Sequence, residues 1–133
     1  MPILELATPA IDEYRTLRVA AGLSAKSGEA AEAGLKNSWA SVCVREQGEL
    51  IGMGRIVGDG GLFLLVVDIA VAPAWQRKGL GARIMQALMD ELHARAPKTA
   101  HVALIADGTA CELYRKFGFT MSAPGAHGMQ MRL

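Results

Sequence analysis

A basic, glycine-bearing segment between a strand-like run and a helix-like run offers the clearest chemistry in this sequence. The segment reads Gln76-Arg77-Lys78-Gly79-Leu80-Gly81-Ala82. At the start of a helix, free backbone N–H groups and the helix dipole attract anions, and glycines let a phosphate approach the main chain. The sequence therefore predicts that residues 76–82 bind a phosphorylated ligand.

The residues on both sides of this segment must form the elements that position it. Leu62–Val71 is nearly all apolar and rich in β-branched residues, which is typical of a buried strand. Apolar residues recur at helical spacing from Ile84 to Leu92, and they predict an amphipathic helix that runs to about Arg95. A strand, a loop and a helix start thus meet at the predicted anion site.

Two common phosphate-binding motifs fit the segment poorly. A Rossmann turn would need a third glycine and an acidic residue at a strand end about 20 positions further on. The P-loop signature GxxxxGK[ST] does not occur in the chain. Taken alone, the segment does not indicate which phosphorylated ligand would bind.

Composition and charge restrict the class of protein. A chain of 133 residues fits one domain, 1–133, and 51% apolar with 20% charged residues is typical of a globular protein. The net charge of +1 predicts no nucleic-acid partner, and no segment has the length and hydropathy of a membrane span. Cys43 and Cys111 form no metal-binding pattern and predict buried thiols. Because the N-terminus lacks the features of a signal peptide, we expect a cytoplasmic protein, and we expect no metal.

Hydrophobic periodicity predicts an α/β fold in which helices cover both faces of a mixed sheet. The predicted strands are Leu4–Ala7, Ala40–Arg45, Leu50–Val57, Leu62–Val71, His101–Ala106, Phe119–Ser122 and Met129–Leu133. Helices are expected from Thr8 to about Gly22, over Glu29–Lys36, up to about Arg95, and from about Thr109 to Lys116. Exposed closing strands would also make a homodimer possible.

A second motif follows the strand after the long helix. It reads Asp107-x-x-Ala110-x-x-Leu113-Tyr114-x-x-x-Gly118-Phe119. Together with Val71-Ala72-Pro73 and Gln76-x-x-Gly79-x-Gly81, it resembles the GCN5-related N-acetyltransferase (GNAT) family over residues 62–119. The resemblance implies a GNAT-type acyl-CoA N-acyltransferase fold, with helices on both faces of a splayed, mostly antiparallel sheet.

Three further motifs resemble a subgroup of short bacterial single-domain members. They read Arg55-x-x-Gly58-Asp59-Gly60, Asp68-Ile69-Ala70-Val71-x-Pro73 and Gly128-Met129. This narrower resemblance also extends to plant plastid amine and protein acetyltransferases.

The family resemblance implies that acetyl-CoA is the co-substrate. Its pantetheine arm would lie between the splayed strands, and a backbone N–H near Ile69 would face the thioester oxygen. The residues expected to contact acetyl-CoA are Ile69, Val71, Arg77, Lys78, Gly79, Gly81, Ala82, Asp107 and Tyr114. Asp107 departs from the asparagine most common there, and an ionised carboxylate accepts hydrogen bonds but cannot donate them.

Two residues are expected to act in catalysis, Tyr114 and Asp68. The Tyr114 phenol can protonate the departing thiolate of coenzyme A. A base is also needed, because an alkylammonium of pKa about 10 is neutral to only about one part in a thousand at pH 7. Asp68 is the candidate base, with pairing to Arg55 as its alternative role. Weaker candidates are Asp59, Glu29 and His127.

The leading interpretation is an N-acetyltransferase that passes acetyl from acetyl-CoA directly to a primary amine of a small molecule. The acceptor would lie near the first helix, Trp39 and the closing hairpin. Two alternatives stay open: acetylation of a protein or peptide amine, and a CoA-binding module without catalysis.

Overall fold

The computed structural model describes residues 1–133 and is built on one five-stranded sheet. The elements in chain order are β1 (Ile3–Leu6), α1 (Ile11–Ala20), α2 (Gly28–Leu35), β2 (Ala40–Glu46), β3 (Glu49–Gly58), β4 (Phe63–Val71), α3 (Leu80–Arg95), β5 (His101–Ala103) and α4 (Cys111–Arg115). The strands lie side by side in chain order, antiparallel from β1 to β4, while β5 runs parallel to β4. The mixed α/β fold expected from the sequence is confirmed.

Helices cover both faces of this sheet. α3 packs on β2, β3 and β4, and the side chains of Ile84, Met85 and Leu88 on its apolar stripe are fully buried. α1 and α2 cover the other face, where Tyr14 and Leu17 are among the buried residues. Each helix face therefore encloses one hydrophobic layer against the sheet, as the 3.6-residue periodicity requires.

The sheet opens between β4 and β5. The two strands pair only where Phe63–Leu65 lies beside His101–Ala103, and β4 then continues for six residues without that neighbour. β5 ends at Ala103 and is shorter than the predicted strand His101–Ala106. The splay expected from the family resemblance is thus present, and it leaves one side of the β4 backbone open.

A β-bulge lies in the open half of β4. Asp68 and Ile69 together oppose Gly54 of β3, so β4 carries one extra residue there. Asp68 adopts a positive φ of 59°, a left-handed conformation that asparagine and aspartate tolerate better than most residues. The bulge changes which β4 side chains and backbone groups face the opening.

Gly54 allows α3 to lie close against this bulge. A Cβ atom at this position would lie 2.6 Å from Ile84 Cγ2 and 2.8 Å from Ile69 Cδ1. Such distances are far inside van der Waals contact, so any larger residue would push α3 and the bulge apart.

The prediction of two closing strands was wrong. Phe119–Ser122 and Met129–Leu133 form no strand, and the outer edge of β5 has no neighbour in the chain. The alternating pattern of these segments is that of a strand, but alternation is a local property and does not by itself bring a segment to a sheet edge where its hydrogen bonds are made. The longest helix, α3, has 16 residues, and no helix combines the length and hydropathy of a membrane span.

Candidate active site

A cleft of about 660 Å³ opens where β4 and β5 separate. Its walls come from α1, β4, the segment after β5, α4 and the C-terminal residues. Ile69, Asp68, Asp107 and Tyr114 line it, so four of the residues predicted from sequence lie around one space. A second groove, of about 470 Å³, lies between the end of α3, β5 and Phe117–Phe119 and contains none of the predicted site residues.

The β4 backbone directs hydrogen-bonding groups into the gap. Ala72 N–H donates to the carbonyl of Ile51 in β3 at 2.7 Å. Because backbone groups alternate along a strand, Val71 and Ile69 point their N–H and C=O groups away from β3, toward the opening. The Gln76 amide donates to the Val71 carbonyl at 3.0 Å, which ties the strand end to the following loop.

The basic loop presents free donors at the N-terminus of α3. No backbone N–H of residues 77–82 donates a hydrogen bond to another protein atom. Gly79 precedes the first turn of α3 with φ of 81°, and Arg77 has φ of 63°. Free N–H groups at the positive end of a 16-residue helix are suited to hold an anion, and the binding of a phosphorylated ligand there stays a prediction. Arg77 and Lys78 are exposed, and the Lys78 ammonium lies 5.2 Å from the Trp75 ring.

Tyr114 lies half-buried on α4 and its ring packs edge-on against Phe119 at 6.4 Å between centroids. Its hydroxyl makes no hydrogen bond within the protein, although it lines the cleft. Burial, with a smaller contribution from the charge of Asp107, raises the pKa of the Tyr114 hydroxyl above 10.0. The phenol therefore carries its proton at neutral pH and is free to donate it.

Asp107 is exposed at the start of the turn that leads into α4. Its backbone carbonyl accepts from Ala110 N–H at 3.0 Å, but its carboxylate caps no helix and has no hydrogen-bond partner. Among the residues around the cleft it is the carboxylate left free to bind another group.

Asp68 differs from Asp107 because both of its carboxylate oxygens accept hydrogen bonds within the protein. Tyr14 Oη and Arg55 Nε donate to Oδ2 at 2.8 and 2.7 Å, and Arg18 Nη1 donates to Oδ1. The side chain of Asp68 is only 5% exposed. The pairing with Arg55 weighed from the sequence is present, in addition to the pairing with Arg18.

The two arginines connect this carboxylate to three other parts of the fold. Arg18 Nε and Nη2 donate to the carbonyl and hydroxyl of Ser24 at 2.8 and 3.0 Å. Arg55 Nη1 donates to the Ser38 hydroxyl at 2.8 Å, just after α2. The bulge of β4 is thereby fixed to α1, to the loop after it and to the end of α2.

Several residues weighed from the sequence lie elsewhere. Trp39 packs under the Arg95 guanidinium, 4.1 Å from the ring centroid, and does not line the cleft, where it was expected to contact the acceptor. Asp59 lies in an exposed turn where three backbone N–H groups hold its pKa below its usual value. Glu29 and His127 also lie outside the cleft.

Neither cysteine lines the cleft. Cys43 is buried, and burial raises the pKa of its thiol to about 11. Cys111 is only half-buried, which corrects the expectation of two buried thiols. No group of three or more His, Cys, Asp or Glu side chains is arranged to hold a metal ion.

Sequence reasoning did not find Gly54, and it did not foresee that Tyr14 and Arg18 both bind Asp68. No local pattern marks these roles, since the partners of Asp68 lie 54, 50 and 13 positions away in the chain. The positive φ of Asp68 is likewise a property of the bulge and of its pairing with β3.

Comparison with known proteins agrees with this geometry. The family model described as an acetyltransferase (GNAT) domain matches residues 13–129. The chain superposes over its full length on the full length of a crystal structure from methicillin-resistant Staphylococcus aureus, with a TM-score of 0.96 and 39% identity. That protein, SA2161, is described as a probable acetyltransferase of unknown function.

Two plant proteins match more than half of the chain. Histone acetyltransferase TAP1 of Glycine max is 34% identical over 84 residues, which cover 63% of this chain and 36% of that protein. Serotonin N-acetyltransferase 2, chloroplastic, of Oryza sativa subsp. japonica is 33% identical over 82 residues, covering 62% and 40% respectively. These matches thus span about a third to two fifths of the plant proteins. From the matched domain and the full-length structural match, the chain belongs to the GNAT family of N-acetyltransferases.

Proposed function

We propose that residues 1–133 form a single N-acetyltransferase domain that transfers acetyl from acetyl-CoA directly to a primary amine. The observation that carries this proposal is the gap between β4 and β5. The gap leaves the β4 backbone at Ile69 and Val71 without a neighbouring strand on that side, and Ile69 and Tyr114 line the same cleft. The free N–H groups of residues 77–82 lie at the start of α3, just after the end of β4 in the chain.

Acetyl-CoA would bind through the amide groups of its pantetheine arm, which resemble a peptide backbone, and through its negatively charged pyrophosphate. The amide groups of pantetheine match the N–H and C=O groups that Ile69 and Val71 direct into the gap. The pyrophosphate matches the free N–H groups before and within the first turn of α3. Arg77 and Lys78 add exposed positive charge beside that site, and Asp107 lies at the far side of the gap.

Tyr114 would then protonate the sulfur as the carbon–sulfur bond breaks. The amine nitrogen attacks the thioester carbon, and a backbone N–H of β4 near Ile69 stabilises the negative charge that develops on its oxygen. The thiolate takes the phenolic proton, so coenzyme A leaves as a thiol. The nitrogen that has formed the amide gives up its extra proton through water, and this proton restores the Tyr114 phenol. The raised pKa of Tyr114 supports this assignment, because the acid must hold its proton at neutral pH.

The amine must lose a proton before it attacks. Asp68 is a poor base in this arrangement, since three donors already occupy its oxygens, and we assign it a positioning role. The cleft lining carries the cations Arg18, Lys26, Arg55 and Arg132 against the carboxylates Asp68 and Asp107. An excess of positive charge lowers the pKa of an ammonium group nearby, and the free Asp107 carboxylate can take up the proton through water.

The acceptor class has two candidates. One plant relative is named for serotonin, a small primary amine, and this favours a small molecule as the first candidate. Another relative is named for histones, which favours a protein or peptide amine as the second candidate.

Acetyl-CoA binding and turnover test the proposal in two steps. Acetyl-CoA at about 100 times its Kd should stabilise the fold by roughly 2.7 kcal/mol, which a thermal melt detects. A panel of small amines, including serotonin, and of peptides with free N-termini or lysines is then assayed by release of coenzyme A thiol.

Direct transfer predicts intersecting lines in two-substrate steady-state kinetics. Parallel lines, or an acetylated cysteine found by mass spectrometry, would overturn the direct mechanism. Stabilisation by acetyl-CoA with no turnover on any amine would instead favour a CoA-binding module without catalysis.

Location and assembly are also proposals. A cytoplasmic location rests on the sequence alone, and relatives from plants include chloroplast proteins. A homodimer is supported by the unpaired edge of β5.

A further inference from the structure

A small side pocket of about 210 Å³ adjoins the cleft on the side of α1 and α2. Tyr14, Lys26 and Arg55 line both the cleft and this side pocket, so the two spaces share one wall. One face of α2 forms the rest of the side pocket, at Ala30, Ala31, Gly34 and Leu35. None of the residues expected to contact acetyl-CoA lines it, so the side pocket lies next to the proposed reaction site but outside the proposed path of acetyl-CoA.

The charged residues of the side pocket are all cations. They are Lys26 and Arg55, and no carboxylate lines the space, since Glu29 and Glu32 of α2 lie outside its lining. A small space surrounded by charge of one sign attracts an ion of the opposite sign. The side pocket is therefore suited to an anionic group and not to an ammonium group.

The positive charge of Arg55 is not fully compensated within the protein. Arg18 and Arg55 are 7% and 9% exposed, and both guanidinium groups pair with the single carboxylate of Asp68. One carboxylate offsets one of two guanidinium charges, so this buried cluster carries a net positive charge. An anion brought by a ligand would supply the missing counter-charge.

Arg55 also has N–H donors that the fold does not use. Its Nε donates to Asp68 and its Nη1 donates to Ser38 Oγ at 2.8 Å, whereas its Nη2 donates to no protein atom. Nη2 is not enclosed either, because the enclosed side-chain atoms without a partner are Ser41 Oγ and Glu46 Oε2. The side chain is otherwise buried and lines the side pocket and the cleft, so its free N–H groups are available to a ligand there.

Lys26 supplies a second free cation on the wall shared with the cleft. The residue is exposed and its ammonium group forms no ion pair, while its backbone carbonyl accepts from Arg15 Nε at 2.8 Å. The loop between α1 and α2 is thus held against α1, and the Lys26 side chain stays free. A lysine in this situation acts as a point charge for a carboxylate or a phosphate.

We propose that the side pocket binds an anionic group, a carboxylate or a phosphate, that the amine acceptor carries. The inference rests on the proposed acetyl transfer and narrows its substrate class to amines with an anionic group, such as amino acids and aminoalkyl phosphates. Arg55 Nη2 donates to an oxygen of the anion, and the Lys26 ammonium adds a second positive charge. Because Arg55 also contacts Asp68, the residue before Ile69, an anion held there keeps its attached amine near the proposed position of the thioester.

Matched pairs of acids and amides test the substrate class. The value of kcat/KM is measured for β-alanine and 4-aminobutanoate and for their amides, which keep the amine and the chain length but lack the negative charge. We expect the acids to be favoured by at least about tenfold, the contribution of one charge-assisted hydrogen bond. O-phosphoethanolamine, with ethanolamine as its neutral counterpart, tests phosphate against carboxylate. Turnover of acids and amides with equal kcat/KM would overturn the inference and leave acetyl transfer intact.

Lys26→Ala separates the side pocket from the rest of the site. The variant should raise the KM for the preferred acid about tenfold and leave the KM for its amide and for acetyl-CoA unchanged. Lys26→Glu should abolish the preference for the acid. Lys36→Ala is the matched control, since Lys36 is an exposed lysine at the end of α2 outside both linings, and it should change none of these constants. Equal losses for the acid and its amide in Lys26→Ala would contradict the proposal.

Binding without turnover distinguishes failure of this inference from failure of the proposed activity. Amide NMR spectra are recorded with and without saturating coenzyme A while 4-aminobutanoate or O-phosphoethanolamine is added. Shifts are expected at Lys26, Gly34 and Arg55. If they appear although no amine is turned over, the anion site stands and acetyl transfer fails. Shifts confined to residues 77–82, or no shifts at all, would overturn the anion site.

Discussion

On the β4 wall of the cleft, Asp68 is held by three donors and is 5% exposed, whereas on the opposite wall Asp107 and the Tyr114 hydroxyl have no partner. The first wall is joined to α1 and to the end of α2 through Arg18 and Arg55. The second wall consists of a turn and the five-residue helix α4. The side chains of Asp107 and Tyr114 make no hydrogen bond that would join it to other elements.

The two walls have different roles: one positions the site and the other carries the reactive groups. Polar groups whose hydrogen bonds are all made within the protein stabilise the local structure, but they have no free donor or acceptor for a substrate. Polar groups that are unpaired can bind substrate or move a proton, and they must rely on the other wall for alignment. We therefore expect changes on the β4 wall to appear mainly as lost stability and changes on the α4 wall mainly as lost rate.

The largest effect is expected from Asp68→Asn. The substitution keeps the side-chain shape and tolerates the positive φ, but it leaves the buried guanidinium groups of Arg18 and Arg55 without their counter-ion. Breaking a buried charge pair by removing one partner costs about 3–5 kcal/mol, which denaturant unfolding measures. If Asp68→Asn kept its stability and lost only turnover, Asp68 would be a base after all and the comparison would fail.

Tyr114→Phe is expected to lower kcat by roughly 100-fold, because a general acid contributes at least that factor. The KM for acetyl-CoA and the melting temperature should change little, since the hydroxyl has no protein partner. The wild-type rate should fall only above pH 10, since the raised pKa of Tyr114 keeps its proton bound until then, and the variant should lack that alkaline decline.

Tyr14→Phe is the matched control for Tyr114→Phe. It removes one hydrogen bond to Asp68, so a loss of about 1–3 kcal/mol of stability with nearly unchanged kcat is expected. Equal effects of the two phenylalanine substitutions on kcat would contradict the assignment of the acid to Tyr114.

Gly54→Ala should cost about 1–3 kcal/mol of folding stability, because the new methyl group meets Ile84 and Ile69 at the bulge. Gly34→Ala, on α2 where a Cβ has open space, is the control and should be neutral or slightly stabilising in a thermal melt. If Gly54→Ala kept the stability of the wild type, α3 would pack less tightly on the bulge than we infer. The β4 wall would then not depend on that packing.

The smallest effect is expected at the exposed cations of the loop. Arg77→Ala and Lys78→Ala should each raise the KM for acetyl-CoA by a few-fold, since exposed charge pairs contribute about 0–1 kcal/mol. The effect should diminish at high salt, and Lys98→Ala, an exposed lysine outside the cleft, should show none. A salt-independent loss of more than about 100-fold would show that the backbone of the loop does not carry the anion site.

The sequence predicts the parts of the molecule that depend on neighbours along the chain. The apolar stripe of α3, the Ser27 hydroxyl that accepts from Ala30 N–H at 3.0 Å, and the glycine-bearing loop all follow from local spacing. The free N–H groups of that loop follow from its place at a helix start.

What the sequence did not predict depends on contacts across the fold. Asp68 is saturated because Tyr14 and Arg18 arrive from α1, and no spacing within β4 indicates that. Gly54 is required by the closeness of α3, which sits some 30 positions later in the chain. Residues 129–133 have the alternation of a strand, yet they pair with no strand of the sheet, so the local pattern alone predicted the wrong structure there.

The central claim is that the gap between β4 and β5 is the acetyl-CoA site. Amide NMR spectra with and without acetyl-CoA test it most directly, read as hydrogen-exchange protection residue by residue. Protection should appear at Ile69, Val71 and residues 77–82, and β1 should be unaffected. Binding that protects the groove beside β5 instead, or that leaves Ile69, Val71 and the loop unchanged, would contradict the account.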